Sequence, residues 1–139
     1  MLPLVQAYWA LEALDGFSEQ RCGDALGRLL SNAALGCGFV ATVDARVVGY
    51  LLQVYVFSLE HAGLTAEIDE FFLLPDFRSA GVGARLLTAA ERAAAASGCA
   101  NISLQAGVGN DRAVAFYARA GYRRREGYLL LEKDLPVRA

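Results

Sequence analysis

The stretch Glu67 to Gly83, EIDEFFLLPDFRSAGVG, decides the fold of this 139-residue chain. Its first half is a β-prone run heavy with carboxylates and ended by Pro75. Its second half, Arg78-Ser79-Ala80-Gly81-Val82-Gly83, places glycines where backbone N–H groups approach a ligand closely. An alanine-rich helical run follows at once, and the positive end of a helix favours negative charge. Strand, anion cradle and helix in that order make phosphate or pyrophosphate the natural guest. The loop is neither of two well-known nucleotide signatures. Leu86 stands where a dinucleotide fingerprint needs its third glycine, and there is no Gly-Lys-Ser/Thr for a Walker loop. A plain structural turn is the competing reading.

Working outward, Leu4, Val5, Tyr8, Leu11 and Leu14 recur at helical spacing up to Asp15-Gly16, and Cys22, Ala25, Leu26, Leu29 and Leu30 repeat the pattern. Two short helices therefore come first. Phe39 to Val43, the turn Asp44-Ala45-Arg46 and the run Val47 to Leu59 predict a hairpin. After the turn His61-Ala62-Gly63, Leu64 to Leu74 is the next strand. Val82 to Ser97 is helical and stopped by Gly98, and Asn101 to Gln105 is a strand. A helix from about Asp111 to Ala120 ends at Gly121, and Tyr122 to Arg125 and Tyr128 to Lys133 read as two closing strands. Helix, helix, three strands, helix, strand, helix and two strands describe an α/β fold: a mixed, mostly antiparallel sheet flanked by helices.

The length suits a single domain spanning 1–139, and a hydrophobic fraction of 55 % supports a packed core. A formal charge of −2 offers no global field for nucleic acid or an anionic membrane, so neither is expected as a partner. Arg123 to Arg125, the sole basic run, reads as a solvated strand edge. Cys22, Cys37 and Cys99 are widely spaced, show no CxxC pair and have only His61 to join them, so no metal site is expected. They fit a reducing compartment, as small packing residues rather than nucleophiles. His61 reads as a hairpin-tip residue. With no apolar run long enough to span a bilayer, the expected location is cytoplasmic.

A second constellation, NDRAVAFYARAGY, runs from Asn110 to Tyr122. On spacing alone Phe116 and Tyr117 are core aromatics. A tyrosine is also a proton donor whose reference pKa near 10 lies close enough to that of a thiolate, about 8.5, to protonate it as it leaves. Together the loop, this helix and the order of elements resemble the GNAT family of acetyl-CoA-dependent N-acetyltransferases. The family's loop pattern is met at Arg78, Gly81 and Gly83, and its helix pattern at Asn110, Ala113, Phe116, Tyr117, Gly121 and Tyr122. The likeness extends from about Phe39 to the C-terminus and more loosely through the leading helices. The usual N-terminal first strand is missing from the pattern.

The resemblance implies an N-acetyltransferase that moves acetyl from acetyl-CoA to a primary amine by direct attack in a ternary complex, without a metal. It implies that the pyrophosphate rests on the backbone of Arg78, Ser79, Ala80, Gly81, Val82 and Gly83, while the pantetheine arm pairs with Phe72, Leu73 and Leu74. Asn110 and Phe116 complete the cosubstrate contacts it implies. The backbone N–H near Leu73 would polarise the thioester carbonyl. Tyr117 would be the general acid. An alkylamine is mostly protonated at neutral pH, so a carboxylate is needed to take its proton. Glu67, Asp69 and Glu70 are candidates, with Glu67 slightly preferred over Glu70. Strand alternation puts Glu67 and Asp69 on one face and Glu70 on the other, unless a bulge resets the register. With Glu60 they form an acidic group suited to a cationic acceptor: a small-molecule amine, a polyamine or a lysine side chain. The segment SLEHAGLTAEIDEFFL also resembles a bacterial subgroup of such enzymes. A non-catalytic CoA-binding module and a different acyl-CoA are the alternatives. Members often form homodimers through C-terminal strands, and the apolar Tyr128 to Leu131 suits that or burial within its own chain.

Overall fold

A computed structural model describes residues 1–137. They fall into two compact units, Met1–Gln105 and the segment from Ala106 onward. The first unit opens with α1 (Leu2–Leu11) and α2 (Glu19–Leu30). Pro3 sits in the first turn of α1, where a missing N–H is no loss. Ser18 caps α2 by accepting the Arg21 N–H at 3.3 Å. Then come β1 (Gly36–Val43), β2 (Arg46–Ser58) and β3 (Gly63–Leu73), joined by tight turns, followed by the 3-10 turn Pro75–Phe77, α3 (Val82–Ala96) and β4 (Ile102–Leu104). His61 lies in the β2–β3 turn, as its neighbours predict.

The sheet order is β1-β2-β3-β4, with the first three strands antiparallel and β4 parallel to β3. A parallel neighbour requires a crossover, and α3 supplies it. Tyr50 and Leu52 of β2 point to the face covered by α1, where they form a core with Leu4, Val5 and Phe72. Leu51, Gln53 and Tyr55 alternate onto the opposite face. There the Tyr55 hydroxyl lies 3.1 Å from Ser97 Oγ just past α3, which fixes α3 on that side. Leu86, Leu87, Ala90 and Ala94 are its buried stripe.

Two irregularities shape the sheet. The β1–β2 register shifts between Ala41 and Thr42, leaving Val48 as an extra residue on β2. The β2–β3 register shifts between Leu52 and Gln53, which pair with Glu70 and Ile68, so Asp69 is the bulged residue on β3.

The second unit contains α4 (Asp111–Arg119). Asn110 caps it by accepting the Ala113 N–H at 3.2 Å, and Gly121, at φ 93°, lets the chain turn away. The two strands predicted for Tyr122 to Arg125 and Tyr128 to Lys133 do not form: no strand is present in this unit among the described residues. Leu129 and Leu131 are 88 % and 86 % exposed. Apolar, β-prone composition supplies propensity, but a strand exists only where another backbone completes its ladder. Gly127, at φ 87°, also breaks the run, and Arg125 stacks over the Tyr128 ring at 4.5 Å instead of lying on a strand edge.

Among the described residues no helix is long and apolar enough to cross a membrane.

Candidate active site

The end of β3 is where the sheet opens. β4 pairs only with Ala66, Glu67 and Ile68, whereas β2 stays paired with β3 as far as Leu73. Within the first unit, β3 therefore has a ladder on one side only from Asp69 onward. The Leu74 N–H donates to the Val48 carbonyl at 2.9 Å, so by alternation the backbone of Phe72 and Leu74 faces β2 and that of Phe71 and Leu73 faces the open side. Of the three residues expected to pair with a pantetheine arm, Leu73 alone directs its main-chain groups there. Its carbonyl accepts the Arg78 Nε–H at 3.0 Å, which leaves the N–H as the outward group.

Arg78 is thus a brace for the turn. Its guanidinium lies 5.6 Å from the Phe72 ring centroid while it bonds Leu73. Ser79 at φ 67° and Gly81 at φ 80° wind the chain left-handedly past Ala80 into α3. Gly81 is the N-cap and has no side chain to cap with, and the first intrahelical bond is Arg85 N–H to the Gly81 carbonyl at 3.2 Å. The N–H groups of Val82, Gly83 and Ala84 consequently have no intrahelical acceptor, which is the arrangement a phosphate occupies.

The bulge at Asp69 changes the arrangement of carboxylates. Without it Glu67 and Glu70 would fall on opposite faces; with it Glu67 pairs with Val54 and Glu70 with Leu52, both on the α1 face. Glu60 is not part of the group. It sits in the β2–β3 turn, roughly 20 Å or more of strand from Glu70 at about 3.3 Å per residue. Asp69 itself is exposed at its surface yet crowded enough that desolvation raises its carboxyl above the ordinary value.

Glu70 is held from two directions. The Trp9 indole N–H donates to Oε1 at 2.8 Å and the Tyr50 hydroxyl donates to Oε2 at 2.8 Å. Burial first, and then the bond and charge of Glu70, push the Tyr50 phenol far above its ordinary value, so it stays a donor. Burial and the charges of Glu12, Glu70 and Asp69 also raise Tyr8, which places that ring beside the same carboxylates. Tyr8 and Tyr50 both tilt against Phe72, with centroids 6.1 and 6.4 Å away. Sequence reading missed Trp9 and Tyr50. Trp9 lies off the apolar stripe of its helix and Tyr50 within a β-prone run, and only the packing of α1 over β2 and β3 brings them to Glu70.

In the second unit Phe116 and Tyr117 lie on α4 and Asn110 is its N-cap. Tyr117 packs between aromatic neighbours, 5.2 Å from the Phe116 centroid and 5.6 Å from that of Tyr122. The Asn110 amide is engaged in capping α4.

On the α3 face, Cys37 Sγ accepts the Gln53 amide N–H at 3.2 Å, and burial together with Cys37 raises the Cys99 thiol. A raised thiol is a poorer nucleophile, consistent with cysteines that pack. All three cysteines are free.

Known proteins share this architecture. A crystal structure of an integron cassette protein from the mobile metagenome of Cole Harbour Salt Marsh superposes with a TM-score of 0.83 at 26 % identity, covering 97 % of this chain and 83 % of that one. The aminoglycoside acetyltransferase AAC(6')-Iy, solved with a bisubstrate analog, gives 0.80 at 19 % identity over 96 % of this chain and 89 % of that one, a likeness of fold. In sequence the chain is 34 % identical over 102 residues to an uncharacterized N-acetyltransferase of Methanocaldococcus jannaschii, covering 70 % of this chain and 45 % of that protein. It is 33 % identical over 84 residues to an aminoalkylphosphonate N-acetyltransferase of Salmonella typhimurium, covering 60 % of this chain and 54 % of that protein. The chain thus spans about half the length of these relatives. The pattern of the acetyltransferase (GNAT) family matches residues 4–122. Because that match runs through most of the chain, from α1 to the end of α4, the chain belongs to the GNAT acetyltransferase family.

Proposed function

We propose that this chain is an N-acetyltransferase that transfers the acetyl group of acetyl-CoA to a primary amine in a ternary complex, its 139 residues acting as one domain. The observation that carries the reading is the continuity of the one-sided edge of β3 with the uncapped start of α3. An extended arm pairing at Leu73 leads directly to N–H groups that hold a diphosphate, so one backbone path serves both halves of the cosubstrate.

The residues divide the work. Val82, Gly83 and Ala84 bind the diphosphate through their N–H groups, with Gly81 and Gly83 giving it room and Arg78 bracing the turn. The Leu73 N–H donates toward the thioester carbonyl and stabilises the charge that grows there. Glu67 or Glu70 takes a proton from the ammonium, directly or through water, and the free amine forms the new C–N bond as the C–S bond breaks. Tyr117 gives its phenolic proton to the departing thiolate and regains one, through water, from the acylated nitrogen as that sheds its second proton; the family resemblance implies this role. The acceptor is a small amine, a polyamine or a lysine side chain. The acceptor classes named for the relatives, an aminoalkylphosphonate and aminoglycosides, are amines and support this range. A cytoplasmic site of action and a homodimer covering Tyr128 to Leu131 belong to the same reading.

Amine-dependent release of thiol from acetyl-CoA, across a panel of neutral, acidic and polycationic amines, tests it. Turnover is expected with at least one amine, and Tyr117→Phe should slow it about 10²-fold. Saturable CoA binding without thiol release from any amine would reduce the protein to a binding module. Faster release from propionyl- or succinyl-CoA would change the acyl group.

A further inference from the structure

We propose that Trp9 and Tyr50 are positioning residues for Glu70, holding its carboxylate in one orientation to receive the ammonium of the acceptor. The inference rests on the acetyltransferase reading of this site and adds two residues to it. Each carboxylate oxygen has its own donor at 2.8 Å: Trp9 Nε1–H for Oε1 and the Tyr50 hydroxyl for Oε2. The donors come from different elements, 61 and 20 residues away in sequence, so the hold belongs to the tertiary fold. Both are fixed themselves. Tyr50 is fully buried, and Phe17 meets the Trp9 ring edge-on at 5.9 Å. A free glutamate samples many rotamers, and two-point restraint removes that freedom before a ligand arrives.

The chemistry of the donors is the second argument. Indole and phenol are neutral, so they orient the carboxylate without cancelling its charge, as a lysine or arginine partner would. Glu12, just past the end of α1, and Asp69 on β3 act together with Glu70 on the Tyr8 phenol, so further negative charge lies nearby. Arg78, from the turn after β3, keeps its charge but directs its guanidinium to the Leu73 carbonyl and the Phe72 ring. Tyr8, half-buried, and the Trp9 indole that bonds Oε1 contribute aromatic rings next to the carboxylate. An oriented anion beside aromatic rings is chemistry for an alkylammonium.

A double-mutant cycle and the protein's single tryptophan test the proposal. Glu70→Gln keeps the shape, because its Oε1 still accepts from Trp9 and its Nε2 donates to the Tyr50 oxygen, so it isolates the charge. Tyr50→Phe and Trp9→Phe should each lower kcat/KM for the amine about tenfold, on the scale of a hydrogen bond to a charged group, and leave KM for acetyl-CoA unchanged. In the Glu70→Gln background Tyr50→Phe should add nothing further. Additive losses mean a packing role and overturn the proposal. Independently of turnover, 1,4-diaminobutane should change Trp9 emission saturably in the wild type and not in Glu70→Gln. Emission that ignores the diamine, or responds equally in Glu70→Gln, overturns the clamp whatever thiol release shows. A Glu70-dependent emission change without thiol release leaves the clamp standing and removes acetyl transfer.

Discussion

Gly49 and Gly81 both border the proposed cosubstrate path and should resist alanine for opposite reasons. At Gly49 the space is filled: an added Cβ stands 2.8 Å from the Phe72 carbonyl oxygen and collides with Leu73 Cδ2. Both neighbours lie on β3, and Gly49 pairs with Leu73 in the ladder, so the oxygen cannot yield without moving a strand. Overpacking of this kind costs about 1–3 kcal/mol, and a fixed backbone partner puts Gly49→Ala toward the upper end. At Gly81 nothing lies within 4 Å of an added Cβ, but φ is +80°. Gly81→Ala therefore carries only the left-handed penalty, about 1 kcal/mol, and Gly81→Asn less. For a chain of this length 1 kcal/mol is about 3–5 °C in Tm, so losses of roughly 8–12 °C for Gly49→Ala and 3–5 °C for Gly81→Ala are expected in thermal unfolding. Repeating the scans with CoA separates stability from binding, since the increment CoA adds to Tm reports affinity for the folded state. Gly49→Ala should shrink that increment by displacing Leu73. A Gly49→Ala protein as stable as the wild type would refute the β2–β3 register, and Gly81→Asn less stable than Gly81→Ala would refute the left-handed cap.

Three further outcomes are expected. Leu87, 1 % exposed on the sheet-facing stripe of α3, should cost about 2–5 kcal/mol on replacement by alanine, read from denaturant midpoints at constant m-value. Asn110→Ala removes the cap of α4 and should lose about 1 kcal/mol of local stability, visible as faster amide exchange in Asp111–Arg119 while α3 exchanges as before. Asp69 is raised by desolvation, so its folded form holds a proton that the unfolded form releases, and its contribution turns unfavourable as pH rises from near 3.8 through the raised value. The difference in unfolding free energy between Asp69→Asn and the wild type should thus vanish below pH 3.8 and grow in favour of the variant toward pH 7. An opposite slope would mean that Asp69 is held charged by a cation in the folded state.

What the sequence determined by itself was the order of elements and the chemistry of the cradle. Periodicity of three to four residues in Val82–Ala96, strand composition in Gly63–Leu73 and glycine at Gly81 are local properties, and local properties are written in neighbouring residues. The register of β3 was not local. Alternation alone put Glu67 and Glu70 on opposite faces, and only pairing with β2 shows that Asp69 bulges out and returns them to one face. The closing strands failed for the same reason in reverse: Tyr122 to Lys133 has the composition, but a ladder needs a partner, and propensity does not provide one. The sequence reading did not single out Trp9 or Tyr50, because a hydrogen bond spanning 61 positions exists only once α1 has packed over the sheet. Side chains that act together across the chain are decided by the tertiary structure, since their free energy comes from packing surfaces that the linear pattern identifies as apolar but does not pair.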